Sequence, residues 1–78
     1  MKATESHQPI SRADALRIAE RDAKHAYRDL TRYRVDAKEE SDGWHVDYSL
    51  RDPRADGGGP HYVIDRGDGH IISKRYEQ

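Results

Sequence analysis

The chain has 78 residues, of which 33% are hydrophobic and 37% are charged, and its formal net charge is −1. A chain of this length holds one domain with a thin core, to which a dimer or a permanent partner would add stability. The near-neutral charge gives no drive toward nucleic acid or an acidic membrane surface, and the absence of cysteine excludes a disulfide framework and a thiolate metal site.

The N-terminal residues, MKATESHQP, are polar and show no periodicity. They predict a flexible lead-in over residues 1–9, so that a single domain spans residues 10–78. They also lack the apolar middle of a signal peptide, and no apolar run reaches the length of a membrane span. We therefore expect a cytoplasmic protein without membrane contact.

A helix is predicted to begin at Ser11. Ser11 suits the N-cap, Asp14 stands where a capping-box acid belongs, and Ile10 precedes them as a hydrophobic staple. Apolar residues then recur at helical spacing: Leu16, Ala19, Ala23, Ala26 or Tyr27, and Leu30. This stripe predicts a helix that lies on a sheet, and its alanines permit a close approach.

The opposite face of the predicted helix is mostly basic. It carries Arg17, Glu20, Arg21, Lys24 and Arg28. Cations near a helix C-terminus are favoured by the helix dipole, and no aromatic residues are interleaved with these charges. We interpret this face as solvated rather than as a phosphate-binding patch.

Two alternating runs follow the helix and predict a β-hairpin. Tyr33–Glu39 is the first strand, and Trp44–Leu50 (WHVDYSL) alternates apolar with polar residues, as a half-buried strand does. Between them, Asp42-Gly43 is a hairpin turn signal. Because a further apolar run follows, strands can pair on both sides of Trp44–Leu50, which we predict to be the central strand.

Residues 51–60, RDPRADGGGP, predict a loop, because the prolines lack backbone donors and the glycines supply flexibility or positive φ. A second hairpin follows, with arms His61–Asp65 and His70–Tyr76. Adjacent apolar pairs on both arms predict that one face lies on the helix and the other meets a second molecule. The elements together predict an α+β fold with one N-terminal helix packed on a four-stranded antiparallel sheet.

Histidines and acids on the predicted sheet raise the question of a catalytic or metal site. His45 and Asp47 share one face of the central strand, and His61 or His70 on a neighbouring strand could approach them. No pair has the spacing of a known metal motif, and no nucleophile stands beside them. We interpret these residues as solvent-facing or partner-contacting, and we expect no enzyme activity, cofactor or metal.

The order of these elements resembles small bacterial immunity proteins of the NTF2-fold type, which accompany polymorphic toxins. The segments that carry the resemblance are ISRADALRIAERDA, WHVDYSL, GGGPHYVID and GDGHIISKRYEQ, within residues 10–78. The resemblance implies a reduced NTF2-like or cystatin-like fold, in which one N-terminal helix packs on a curved four-stranded antiparallel sheet, since a full NTF2 cone has more helices than this chain can supply. The helix and the V-I-D sequence before a glycine-containing turn also look like PepSY-type domains, which are non-catalytic inhibitory or binding modules.

The resemblance to immunity proteins implies a function by binding, in which the chain occludes or distorts a toxin made by the same cell. The partner-binding residues that this implies lie on the uncovered sheet face and in the 51–60 loop: His45, Asp47, Arg51, Asp52 and His61. An ordinary polar sheet face accounts for the alternation equally well. The alternative function is a PepSY-like or self-associating regulatory module that forms a homodimer through the last hairpin.

Overall fold

The computed structural model describes residues 8–52, 54 and 58–77. These residues form one helix, α1 (Arg12–Ala26), and four strands, β1 (Tyr33–Glu40), β2 (Gly43–Leu50), β3 (His61–Ile64) and β4 (Ile71–Arg75). The strands make one antiparallel sheet in the order β1-β2-β3-β4. The predicted α+β fold and the central position of the tryptophan-containing strand are confirmed.

Two of the predictions are not tested by this architecture. The curvature of the sheet stays a prediction. Most of the predicted lead-in, residues 1–7, lies outside the described residues. From Ile10 onward the chain is attached to the fold, because the Ile10 amide donates to the Arg66 carbonyl at 2.7 Å.

α1 begins as the sequence predicts but ends a turn earlier. The Ser11 side chain accepts from the Asp14 amide at 3.1 Å, and the Asp14 carboxylate accepts from the Ser11 amide at 3.1 Å. The bond from the Ser11 amide is the largest cause of the lowered pKa of Asp14. The predicted last turn is wrong, because Tyr27 has left the helical conformation and Asp29 accepts from both the amide and the hydroxyl of Thr31, which makes a local turn.

The core lies between α1 and one face of the sheet. The buried residues of α1 are all alanines, Ala15, Ala19 and Ala23. The sheet supplies larger buried side chains: Trp44, Val46, Tyr48, Tyr62 and Ile64. Because each buried residue of α1 contributes only a methyl group, the helix backbone can approach the large side chains of the sheet closely. Leu16, predicted for the buried stripe, is half-buried at its edge, and Ala26 is exposed.

A carboxylate of α1 ties the last strand to the helix. Asp22 accepts hydrogen bonds from the hydroxyls of Tyr62 (2.9 Å) and Tyr76 (2.6 Å) and from the ammonium of Lys74 (3.0 Å). The bond from Tyr76 is the largest cause of the lowered pKa of Asp22, whereas burial, followed by the bond to Asp22, raises the pKa of Tyr62. β4 is thereby connected to a helix that lies about fifty residues earlier in the chain.

Gly59, in the 51–60 loop, has a packing requirement that the sequence did not predict. Flexibility or a positive φ was the expectation, but Gly59 does not have a positive φ. A Cβ at Gly59 would lie 2.8 Å from the Cβ of Tyr48 and 3.0 Å from the ring of Tyr33. The requirement at this position is close packing of the backbone against two tyrosines. Gly57 lies outside the described residues.

Candidate binding face

One face of the sheet packs on α1, and we call the opposite face the open face. Alternation along the strands sends every second side chain to it. On β2, for example, Trp44, Val46 and Tyr48 are buried on the helix side, while His45, Asp47 and Ser49 alternate with them. The strand register adds residues from the other strands: Arg34, Asp36, Lys38, Glu40, His61, Val63, Ser73 and Arg75. No described helix or strand covers this face.

A row of directly paired residues crosses all four strands of the open face. Asp36 of β1 pairs with Asp47 of β2, Asp47 pairs with His61 of β3, and His61 pairs with Arg75 of β4. Side chains of directly opposite residues are close enough to interact. The row is therefore acidic on β1 and β2 and basic on β4, with the histidine between the two charges.

His61 is held by carboxylates on both sides of its ring. Its Nδ1 lies 2.7 Å from Oδ1 of Asp47, and its Nε2 lies 3.5 Å from Oε2 of Glu77. The same oxygen of Glu77 lies 3.2 Å from the guanidinium of Arg75. With both ring nitrogens facing acceptors and only 24% of its side chain exposed, His61 has a fixed orientation.

His45 lies on the same face but is bonded to the hairpin turn. Its Nε2 lies 2.7 Å from Oδ1 of Asp42, and this bond is the largest cause of the lowered pKa of Asp42. His45, Asp47 and His61 line one depression of about 220 Å³, which Ser73 and Arg75 help to close. Pockets for small ligands measure roughly 300 to 1,000 Å³. The depression suits a single inserted side chain better than a whole substrate.

Arg51 and Asp52 are placed apart from the other three predicted residues. The side chain of Arg51 donates to the Thr31 carbonyl at 3.0 Å, and its amide donates to the Arg32 carbonyl at 2.9 Å. Asp52 accepts from the Arg54 amide at 3.0 Å. The two bonds of Arg51 attach the end of β2 to the segment before β1, whereas the bond of Asp52 is local. Neither residue lines the depression formed by the described residues.

Glu77 and Arg75 contact the site but are not singled out by sequence reasoning. The signal for them is the register of the last hairpin, because an antiparallel return brings the C-terminal residues beside His61. His70, considered as an alternative to His61, stands at the other end of that hairpin. Its Nδ1 lies 2.7 Å from Oδ1 of Asp68, and this hydrogen bond raises the pKa of His70.

The turn of the last hairpin also gathers three groups that ligate metals in other proteins. Ligand atoms of Asp65, Asp68 and His70 lie within 4.8 Å of one another. The turn itself accounts for this cluster, because Asp65 accepts from the amides of Gly67 and Asp68, and Asp68 accepts from the amide of His70. Side-chain acceptors of this kind are common where a turn leaves backbone donors unpaired.

α1 is fifteen residues long and rich in charge, and no helix of the described residues has the length and apolar character needed to cross a membrane. Comparison of the chain with models of protein families, with curated proteins and with solved structures gives no match. The resemblance to immunity proteins therefore stays a prediction, and the open face is the structural feature that bears on function.

Proposed function

We propose that the chain is a non-catalytic immunity protein that binds a cognate bacterial toxin through the open face and neutralises it. The observation that carries this proposal is the network around His61, in which two carboxylates and Arg75 hold a polar group at the surface. Polar groups that are fixed before binding lose little conformational entropy when a partner docks. The resemblance of the segments quoted above supports the choice of an immunity protein as the class.

A role in binding accounts for this geometry better than catalysis does. Both nitrogens of His61 face carboxylates, at 2.7 and 3.5 Å, so neither is directed at an open position where a substrate would sit. The adjoining depression of about 220 Å³ has room for one side chain. Interfaces draw much of their energy from a few anchors that enter such depressions. A basic or hydroxyl side chain of the toxin would meet Asp47 there.

The test of the function is growth rescue. The open reading frames next to the gene for this chain are expressed one at a time in a bacterial host, alone and together with the chain. We expect one of them to stop growth alone and to be harmless when co-expressed. The purified pair should then bind directly in a calorimetric titration. If no neighbouring product is toxic, or if co-expression leaves growth arrested, the proposal is wrong.

The test of the site uses two alanine variants, each of which removes one charged side chain. Asp47→Ala removes a carboxylate from the open face, and we expect binding to weaken by about thirtyfold or more, which corresponds to about 2 kcal/mol for a charged interface group. Arg21→Ala removes an exposed charge from α1 and should leave affinity unchanged. Circular dichroism checks that both variants fold. If the two variants bind the toxin with equal affinity, the toxin does not contact the open face at Asp47.

The alternative, a PepSY-like or self-associating regulatory module, is supported by one feature of the last hairpin. Ile72 is 49% exposed at the irregular pairing between β3 and β4. An exposed isoleucine on an edge strand is a plausible contact for another chain. Replacement Ile72→Ser would then reduce self-association, which sedimentation across micromolar concentrations measures.

A further inference from the structure

β1 lies at one edge of the sheet, and among the described strands it pairs only with β2. Its register with β2 closes on a two-residue turn, so Glu40 and Gly43 form a hydrogen-bonded pair. Counting back from this pair, the alternation of an antiparallel ladder directs the amides and carbonyls of Val35, Ala37 and Glu39 away from β2. These backbone groups can pair with another strand.

The open-face side chains of β1 alternate in charge. Arg34, Asp36, Lys38 and Glu40 are positive, negative, positive and negative in turn, and all four are exposed. None of them forms an ion pair or a side-chain hydrogen bond with another described residue, although charged residues on the other strands do so repeatedly. Asp36 in addition lies directly opposite Asp47, and like charges in this position are unfavourable.

Among pairings in which the two copies are equivalent, this pattern is complementary to itself when the strands run antiparallel. A parallel copy in register would place each charge against a like charge. An antiparallel copy that is centred on Asp36 would place Asp36 against itself and Arg34 against Lys38. Centring on Ala37 instead places Asp36 opposite Lys38 and Arg34 opposite Glu40, and it uses nearly the whole strand.

We propose that β1 pairs antiparallel with β1 of a second copy of this chain about a two-fold axis at Ala37, which extends the sheet to eight strands. Each of the two opposite-charge pairs then occurs twice, so all four unpaired charges of β1 find partners. Lys38 of the second copy lies near Asp36 and offsets the repulsion between Asp36 and Asp47. The backbone bonds supply affinity, and the charges select orientation and register.

One side-chain hydrogen bond has to break before the two strands can pair. The Arg12 side chain lies over the edge of β1, where its Nε donates to the Ala37 carbonyl at 3.4 Å. A strand from the second copy replaces this long bond with a backbone bond. The contact uses β1 and leaves the depression at His61 uncovered, so the dimer is independent of the proposed toxin binding and also of the last hairpin.

A charge-swap series tests the pairing. Sedimentation and light scattering across micromolar to millimolar concentrations should show a wild-type dimer. Lys38→Asp and Asp36→Lys each place like charges opposite one another twice, and we expect dimerisation to weaken by about tenfold or more in each. When the two variants are mixed, opposite charges meet again and a heterodimer should form. The double variant D36K/K38D should regain the homodimer.

Arg21→Asp is the matched control for Lys38→Asp, because it makes the same change of charge on the exposed face of α1. This variant should dimerise like the wild type. Circular dichroism verifies folding of every variant. A monomeric wild type, single variants that dimerise normally, or a mixture that stays monomeric would each overturn the proposal. If the wild type is a monomer and Lys38→Asp abolishes its binding to the toxin, the edge of β1 pairs with a strand of the toxin. That result would also overturn the proposed dimer.

Discussion

At Gly43 the backbone takes a φ of +138°, and a Cβ there would lie 2.5 Å from the Ile64 carbonyl oxygen. Gly43→Ala combines a strained φ with a clash against a neighbouring strand. We expect it to lower the free energy of unfolding by about 2 kcal/mol or more, as measured by urea titration.

Gly67→Ala is the control for that measurement. Gly67 does not have a positive φ, and among the described residues, apart from its chain neighbours, its Cβ would approach a single atom, a side-chain oxygen of Asp65 at 3.1 Å. Since this oxygen can shift, the loss of stability should be clearly smaller. If both variants lose the same free energy of unfolding, the close approach at Gly43 has no special cost. Replacing either glycine would then be equally unfavourable.

A second prediction at the scale of one residue concerns Asp22. Its pKa in the folded chain lies below the ordinary 3.8, because Tyr76 and then Lys74 and Tyr62 bond its carboxylate. The stability that this provides is present above the unfolded pKa and is lost as pH falls through the folded pKa. Asp22→Asn should therefore cost about 1 to 3 kcal/mol near neutral pH, and the difference from wild type should shrink in acid.

The measurement for Asp22 is the free energy of unfolding of both proteins at a series of pH values. The wild type should lose stability in the acid range more steeply than the variant, because only the wild type takes up the extra proton at this position on unfolding. A difference that stays constant with pH would mean that the shape of the side chain, and not its charge, holds β4 to α1.

Residues whose contacts are local could be predicted from sequence, and Asp22 could not. Ser11 and Asp14 bond each other across three positions, so their spacing alone indicates the capping box. The partners of Asp22 lie 40 to 54 positions away. On a helical wheel it is one acid among several on a charged helix, and nothing in its sequence neighbours identifies it.

At the scale of elements, the contact between α1 and the sheet depends on small side chains. Ala19 is fully buried, whereas Ala13 on the same helix is exposed. Ala19→Leu should force the helix away from the strands and cost about 1 to 3 kcal/mol. Ala13→Leu makes the identical change at the surface and should alter stability by no more than about 0.5 kcal/mol. Thermal unfolding compares the two, and equal effects would contradict the close packing of α1.

The strands were predictable because alternation and turn residues act over short ranges. The prediction of Tyr33–Glu39 and Trp44–Leu50 differs from the observed strands by one residue each. The end of α1 was not predictable from periodicity, since Leu30 continues the apolar spacing although the chain has already turned. There the Asp29 side chain competes with the helix for backbone donors, which overrides the apolar pattern.

At the scale of the whole molecule, the candidate site is partly visible in the sequence. Alternation puts His45 and Asp47 on one face, and antiparallel pairing brings His61 beside Asp47. Arg51 and Asp52 lie apart from these residues, because their side chains make contacts just after the end of β2 that alternation does not predict. Glu77 joins the site because the last strand returns alongside β3, a relation that requires the register of the complete sheet.

The strands stand in the sheet in the same order as in the chain, so each pairs with its nearest neighbour in sequence. Folding can therefore proceed one hairpin at a time, with only short segments of chain to close at each step. Two sets of bonds join residues much further apart in sequence: those from Lys74 and Tyr76 to Asp22, and the one from the Ile10 amide to the Arg66 carbonyl. We expect them to form late, after the meander of strands has assembled, and the helix to complete the native state by closing over a sheet that is already paired.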